Sequence, residues 1–166
     1  MPTLPCPLMS TRWHSPVGEL LLACDAETLR GVWFVDQPGI PPWAGHAASG
    51  DHPLLERAIA QLTAYFAGER RGFDLPLNLR TGTPFQQAVW QALQAIPWGH
   101  TATYRSVATA IGRPSAVRAV GGAIGRNPIG IIVPCHRVVG SDGGLTGYTG
   151  GLERKRALLS LEAARH

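Results

Sequence analysis

The chain is poor in cysteine, in lysine and in charge. It has three cysteines in 166 residues, Cys6, Cys24 and Cys135. An odd number with no CxxC pair argues against a disulfide framework and for a reducing, cytoplasmic setting. Each thiol is then free, and any of them can be a reactive group. Charged residues make up 16% of the chain and hydrophobic ones 45%, which excludes a disordered polyelectrolyte and allows a real core. No apolar run is long enough to cross a bilayer, because Pro and Gly break each candidate, so no membrane partner is expected. The first residues lack a basic stretch followed by an apolar one, so no signal peptide is expected. Lys155 is the single lysine, and the other cations are arginine. Arginine suits phosphate and nucleic-acid grooves, through a planar fork of donors.

The net charge of +4 is shared unequally. Residues 1–97 carry six arginines against eight acids, whereas residues 98–166 carry nine cations against three acids. A basic carboxyl-terminal half fits either a polyanionic partner or an ordinary solvated surface, and charge alone leaves both open.

Two apolar runs, residues 20–24 and 31–35, read as a strand pair around the polar turn Asp25-Ala26-Glu27. Residues 36–52, rich in Pro, Gly and Ala, read as a loop. A helix is expected over 53–67, with Leu55, Ala58, Ile59, Leu62 and Phe66 on one face, and one more strand over 73–79. Thr83-Pro84-Phe85-Gln86 starts the next helix, since Thr caps, Pro fits the first turn and Gln86 completes a capping box. A domain boundary is expected at 81–83, dividing the chain into 1–80 and 83–166. Two short helices follow at 104–111 and 114–124, joined by Gly112-Arg113-Pro114 as in a helix-turn-helix. The second is nearly bare of side chains at Ala116, Ala119, Gly121, Gly122 and Ala123, with Arg118 among them. Each glycine costs a helix about 1 kcal/mol relative to alanine. Such a surface serves either tight helix packing or close approach of a bulky partner. A last helix is expected over 152–164, with Arg154-Lys155-Arg156 on its solvated face.

The chemistry concentrates in Pro134-Cys135-His136-Arg137-Val138, straight after the strand-like run Ile129-Gly130-Ile131-Ile132-Val133. A thiol beside an imidazole can be held as a thiolate and aimed at an electrophile. Residue type alone leaves several readings of this pentad open, among them a buried inert cysteine and a cysteine hydrolase.

Tyr104 at a helix start, Arg118-Ala119-Val120-Gly121-Gly122, Asn127-Pro128, the pentad, Gly147-Tyr148-Thr149-Gly150-Gly151 and a late Glu162 together resemble the O6-alkylguanine-DNA alkyltransferases. Order and spacing match across residues 83–164, and more loosely at Ser15-Pro16-Val17-Gly18. The resemblance implies an α+β fold, in which a small amino-terminal domain, an antiparallel sheet with one helix, packs on a mostly helical domain. That second domain would carry the helix-turn-helix and the cysteine. The implied reaction moves an alkyl group from O6 of guanine, and from O4 of thymine, in double-stranded DNA onto Cys135, once per molecule.

The roles below are carried over from the family. His136 takes the thiol proton through a water, Glu162 orients His136, and Asn127 fixes the local turn. Tyr104 acts as donor to the leaving base and crowds the adjacent phosphate. Arg118 fills the gap left by a flipped nucleotide, with Ser115, Ala119 and Gly121 along the minor groove. Val138, Tyr148 and Thr149 close the base pocket. A monomer in solution, cooperative on DNA, is expected. Some relatives hold a structural zinc, but Cys6, His14 and Cys24 make no convincing four-ligand set, so neither metal nor cofactor is expected. Alkyltransferase-like proteins, which bind lesions without a reactive cysteine, and transcription factors using the helix-turn-helix alone are alternatives. Cys135 argues against the first. The second leaves the pentad, Asn127 and Glu162 without a purpose.

Overall fold

The computed structural model describes residues 8–164, which leaves Cys6 outside the described residues. Strands β1 (Met9–Ser15), β2 (Gly18–Cys24) and β3 (Leu29–Phe34) form an antiparallel meander. A short strand β4 (Ala48–Ser49), reached through helix α1 (Pro42–His46), adds parallel to β1. The sheet order is β3-β2-β1-β4. The β1–β2 turn is tied by Ser15, whose hydroxyl donates to the Gly18 carbonyl at 2.6 Å, with Gly18 at φ 139°.

Helix α2 (Pro53–Phe66) starts on a His52 cap and buries Leu54, Leu55, Ala58, Leu62 and Tyr65. Helix α3 (Pro84–Gln94) begins with the expected capping box, Thr83 with Gln86. Its buried face is Val89, Trp90 and Leu93, and the Trp90 indole donates to the Ala123 carbonyl at 2.8 Å. Helix α4 (Tyr104–Ala110) and helix α5 (Val117–Gly125) form the helix pair. Short parallel strands β5 (Ala102–Thr103) and β6 (Val138–Val139) tie the start of that pair to the cysteine segment. Helix α6 (Leu152–Ala164) closes the fold. One apolar core joins both halves, from Leu20, Phe34 and Leu62 to Trp90, Val120 and Leu158. Among the described residues no helix is long and apolar enough to cross a membrane.

Several local expectations need correcting. Residues 36–52, expected as a loop, hold α1 and β4. Residues 129–133 are a buried turn rather than a strand. Only an isolated bridge, Val32 with Ile129, pairs there, and Ile131 stands at φ 68°. The run is apolar because Ile129, Ile131 and Val133 are buried, not because it joins a ladder. Residues 73–79 give a single bridge, Leu29 with Leu77. Pro76 lacks an N–H and donates nothing to a neighbour, which limits pairing. The second helix of the pair starts at Val117, not at 114. Residues 114 and 115 form a turn closed by the Ala116 N–H on the Arg113 carbonyl at 2.9 Å. Strand β1 was not anticipated as a separate element, because Met-Ser-Thr-Arg-Trp-His-Ser shows no clean apolar alternation.

Candidate active site

Cys135 lies on a single 3₁₀ turn, Cys135–Arg137, directly after Pro134. The turn is held from below by Asn127. Its side-chain amide donates to the Val133 carbonyl at 2.9 Å, while its carbonyl oxygen accepts from the Ile129 N–H at 3.0 Å. One buried asparagine thus clamps both ends of the turn that contains the left-handed Ile131. A β-branched residue takes that conformation only when its surroundings enforce it. Cys135 as a whole residue is 8% exposed. Burial pushes its pKa up, while the side chains of Asn127 and Tyr148 and the charge of Lys155 pull it down. The resting thiol is therefore protonated, and attack requires a base.

Beside the thiol lies a buried polar cluster. His136 is fully buried, and its Nε2 meets Glu162 Oε2 at 2.7 Å. The same oxygen accepts from the Tyr65 hydroxyl at 2.6 Å and from Arg137 Nη2 at 3.0 Å. Arg137 Nε donates to Glu162 Oε1 at 2.8 Å, and Nη1 to the Ile96 carbonyl at 2.6 Å. Burial works against a charged Glu162, but the bonds from His136 and Arg137 hold its pKa down to about 2. The two-pronged guanidinium balances the carboxylate, so the imidazole need not be charged. Burial lowers the His136 pKa, against the pull of Glu162. A neutral ring donating from Nε2 leaves Nδ1 as an acceptor, and Nδ1 has no hydrogen-bond partner among the described residues.

In front of the thiol is a cavity of about 580 Å³ lined by Tyr104, Arg118, Gly121, Thr146, Tyr148 and Thr149, with Cys135 at its inner end. The Tyr104 hydroxyl accepts from the Thr146 hydroxyl at 2.9 Å, and the Thr149 hydroxyl donates to the Gly125 carbonyl at 2.8 Å. Arg118 is exposed and unpaired among the described residues. Ser115 and Ala119 are exposed on the same helix pair. A Cβ on Gly122 would meet nothing within 4 Å, and one on Gly121 only the Tyr104 ring at 3.8 Å. Internal packing does not require these glycines, which favours approach of a partner. Val138 stands apart from the other expected pocket residues: it is fully buried in β6 beside Ala102 and does not line the cavity.

Sequence reasoning placed Arg154-Lys155-Arg156 on a solvated face, and the structure overturns this for two of the three. Lys155 is 1% exposed and its Nζ donates to the Thr146 carbonyl at 2.8 Å. Arg154 grips Asp36 at 2.6 Å and the Val17 carbonyl at 2.9 Å, tying α6 to the amino-terminal half. Tyr65 was missed altogether. The available signal was a hydroxyl-bearing ring in the buried stripe of α2, which needs a partner. The described residues contain no cluster of three or more His, Cys, Asp or Glu placed to hold a metal ion.

A buried thiol bordering a cavity, beside an imidazole–carboxylate pair and a basic helix pair, is an arrangement able to carry out nucleophilic group transfer. Two family models match the chain: "6-O-methylguanine DNA methyltransferase, ribonuclease-like domain" over residues 8–79, and its "DNA binding domain" over residues 84–164. The chain belongs to the 6-O-methylguanine DNA methyltransferase family. It is 51% identical to a protein of Mycobacterium tuberculosis named methylated-DNA–protein-cysteine methyltransferase, over 91% of this chain and 90% of that one. It is 46% identical to the constitutive protein of that name from Bacillus subtilis, over 92% and 93%. The solved structure of the M. tuberculosis O6-methylguanine methyltransferase superposes with a TM-score of 0.87 at 49% identity, covering 96% of this chain and 94% of that one. A structure of the M. tuberculosis protein in complex with DNA superposes equally well, at 0.87, covering 95% and 94%.

Proposed function

We propose that this chain repairs DNA by moving an alkyl group from O6 of guanine in a duplex onto Cys135, as a methylated-DNA–protein-cysteine methyltransferase. The observation that carries this reading is Cys135 at the inner end of the cavity walled by Tyr104, Arg118 and Thr149, with His136 and Glu162 behind it. The Cys135 proton passes to His136 Nδ1 through a bridging water. Glu162, a carboxylate already balanced by Arg137, holds the ring and stabilises the imidazolium that forms. The thiolate attacks the alkyl carbon, the carbon–O6 bond breaks, and its electron pair moves onto the guanine, where the Tyr104 hydroxyl donates a hydrogen bond. The guanine anion takes up one proton at N1, balanced by the proton that Cys135 gave up through His136, so a thioether on Cys135, a neutral imidazole and an ordinary guanine are left. The carbon–sulfur bond of a thioether is inert to hydrolysis at neutral pH, so each molecule acts once. O4-alkylthymine presents the same kind of carbon and is a second substrate.

The α4–α5 pair enters the minor groove, with Ser115, Ala119 and Gly121 along the backbone. Arg118 fills the gap left when the damaged nucleotide turns into the cavity, a step costing a few kcal/mol. Tyr104 crowds the neighbouring phosphate, and Tyr148 and Thr149 hold the base. Residues 83–166 carry DNA and chemistry, while residues 1–80 support them, Tyr65 reaching across to Glu162. The protein works as a cytoplasmic monomer that assembles cooperatively on DNA. The test is mass spectrometry after incubation with a duplex containing O6-methylguanine. One methyl group is expected on Cys135, and none on Cys135→Ser. No adduct on the wild-type chain, or the same adduct on the serine variant, would overturn the reading.

A further inference from the structure

Thr146 sits in the loop between β6 and α6 and is joined to two other groups. Its hydroxyl donates to the Tyr104 hydroxyl oxygen at 2.9 Å, and its carbonyl accepts from Lys155 Nζ at 2.8 Å. The loop is also braced by its own backbone, through the Gly140 N–H on the Gly144 carbonyl at 2.9 Å and the Gly143 N–H on the Gly140 carbonyl at 2.8 Å, and by side chains, through the Gly144 N–H on Asp142 Oδ1 at 2.8 Å and the Thr149 hydroxyl on the Gly125 carbonyl at 2.8 Å. The Lys155 ammonium is buried, so its bond to a carbonyl is charge-assisted and hard to exchange for water. Thr146 itself is exposed and lines the same cavity as Tyr104 and Cys135.

A phenol hydroxyl carries one hydrogen and accepts through its oxygen lone pairs. With the Thr146 hydroxyl donating to that oxygen, the hydrogen of Tyr104 is left to point elsewhere, and the cavity is the space beside it. A donor that is itself receiving a hydrogen bond is also a stronger donor.

We propose that Thr146 is a positioning residue for alkyl transfer: held by Lys155, it aims the Tyr104 hydrogen into the cavity and supports charge building on the Tyr104 oxygen. This rests on the reading of Tyr104 as donor to the departing base. As the carbon–O6 bond breaks, its electron pair moves onto the guanine. The Tyr104 O–H shortens its bond to the base, and the Thr146 O–H shortens its bond to Tyr104. No proton leaves Thr146.

Single-turnover transfer from a duplex containing O6-methylguanine is measured for Thr146→Val, Thr146→Ser, Tyr104→Phe and the double variant Tyr104→Phe/Thr146→Val. Duplex affinity and the rate of Cys135 labelling by iodoacetamide are measured alongside. Valine matches threonine in shape and lacks only the hydroxyl, and the site is exposed, so the fold is not at stake. Thr146→Val should slow transfer about tenfold, equivalent to about 1.4 kcal/mol in the barrier, and Thr146→Ser should restore it. Iodide leaves without needing a proton, so labelling should be unchanged, as should duplex affinity. In the Tyr104→Phe background the valine substitution should add nothing, because Thr146 acts through that hydroxyl. Wild-type transfer by Thr146→Val, or equal slowing in both backgrounds, overturns the proposal while leaving the Tyr104 reading in place. Wild-type transfer by Tyr104→Phe sinks both.

Discussion

The two sides of Cys135 are built on opposite principles. Behind it, Tyr65, His136, Arg137 and Glu162 are all at most 6% exposed and bonded to one another. In front of it, α5 presents Arg118, Ala119 and Gly122 to open space. The buried side spends burial on charge, which is tolerable only because each donor and acceptor toward Glu162 has a partner. The open side gives up helix propensity for a surface that a bulky partner can approach. The imidazole and its carboxylate partner are thus held by the fold itself, whereas the face of α5 around Arg118 is left open.

Breaking the buried side should have the largest effect. Glu162→Ala leaves the Arg137 charge uncompensated in the core and removes the acceptor of Tyr65 and His136, at a cost of about 3–5 kcal/mol. Urea unfolding measures this, and a loss below about 1 kcal/mol would mean that water readily replaces the carboxylate.

The acid limb of stability tests the same cluster. Glu162 has a folded pKa of about 2, below the ordinary value near 4.3, so its contribution is present above that ordinary value and lost as pH falls toward 2. Burial also lowers the His136 pKa, so its contribution is present above about pH 6.5 and is lost as pH falls below it. Unfolding midpoints should therefore drop steadily from pH 7 to pH 3, and Glu162→Gln should flatten the segment between pH 5 and 3. Parallel curves would remove Glu162 from the account.

On the open side, Arg118→Ala should slow repair of a duplex lesion by tenfold or more, on the order of the few kcal/mol that unstacking a base costs. Reaction with free O6-methylguanine base should be unaffected. Equal slowing of both substrates would deny Arg118 a role in replacing the base. The smallest effect, and the sharpest for the comparison, is Gly122→Ala. A Cβ there meets nothing within 4 Å. The protein should gain up to about 1 kcal/mol, read as a higher unfolding midpoint, while its affinity for duplex DNA falls. A gain in stability with unchanged affinity would show that α5 is bare for some other reason.

Much of the open side was legible in the sequence. A capped helix start at Thr103, the turn at Gly112, and a helix of glycine and alanine around one arginine are local patterns, and short-range physics produces them. The pentad was legible for the same reason, since Cys135 and His136 are chain neighbours. The buried side was mostly not legible. Lys155 and Glu162 share one face of α6 with Leu158, at spacings of three and seven residues, yet a sequence reader assigns charges to water. Tyr65 lies 97 residues from its partner Glu162. The strand expected at 129–133 failed because burial and ladder pairing leave the same apolar signature in a short run.

The sequence by itself determined the helix caps, the bare face of α5, the basic bias of the carboxyl-terminal half and the position of the thiol beside an imidazole. Each depends on residues within a few positions of one another. Only the tertiary structure decided which charges are buried, that Arg137 balances Glu162 so that His136 can stay neutral, and that Lys155 holds the loop carrying Thr146 against Tyr104. A buried charge is stable only where partners from distant segments surround it, and no local pattern in a chain records where those segments meet.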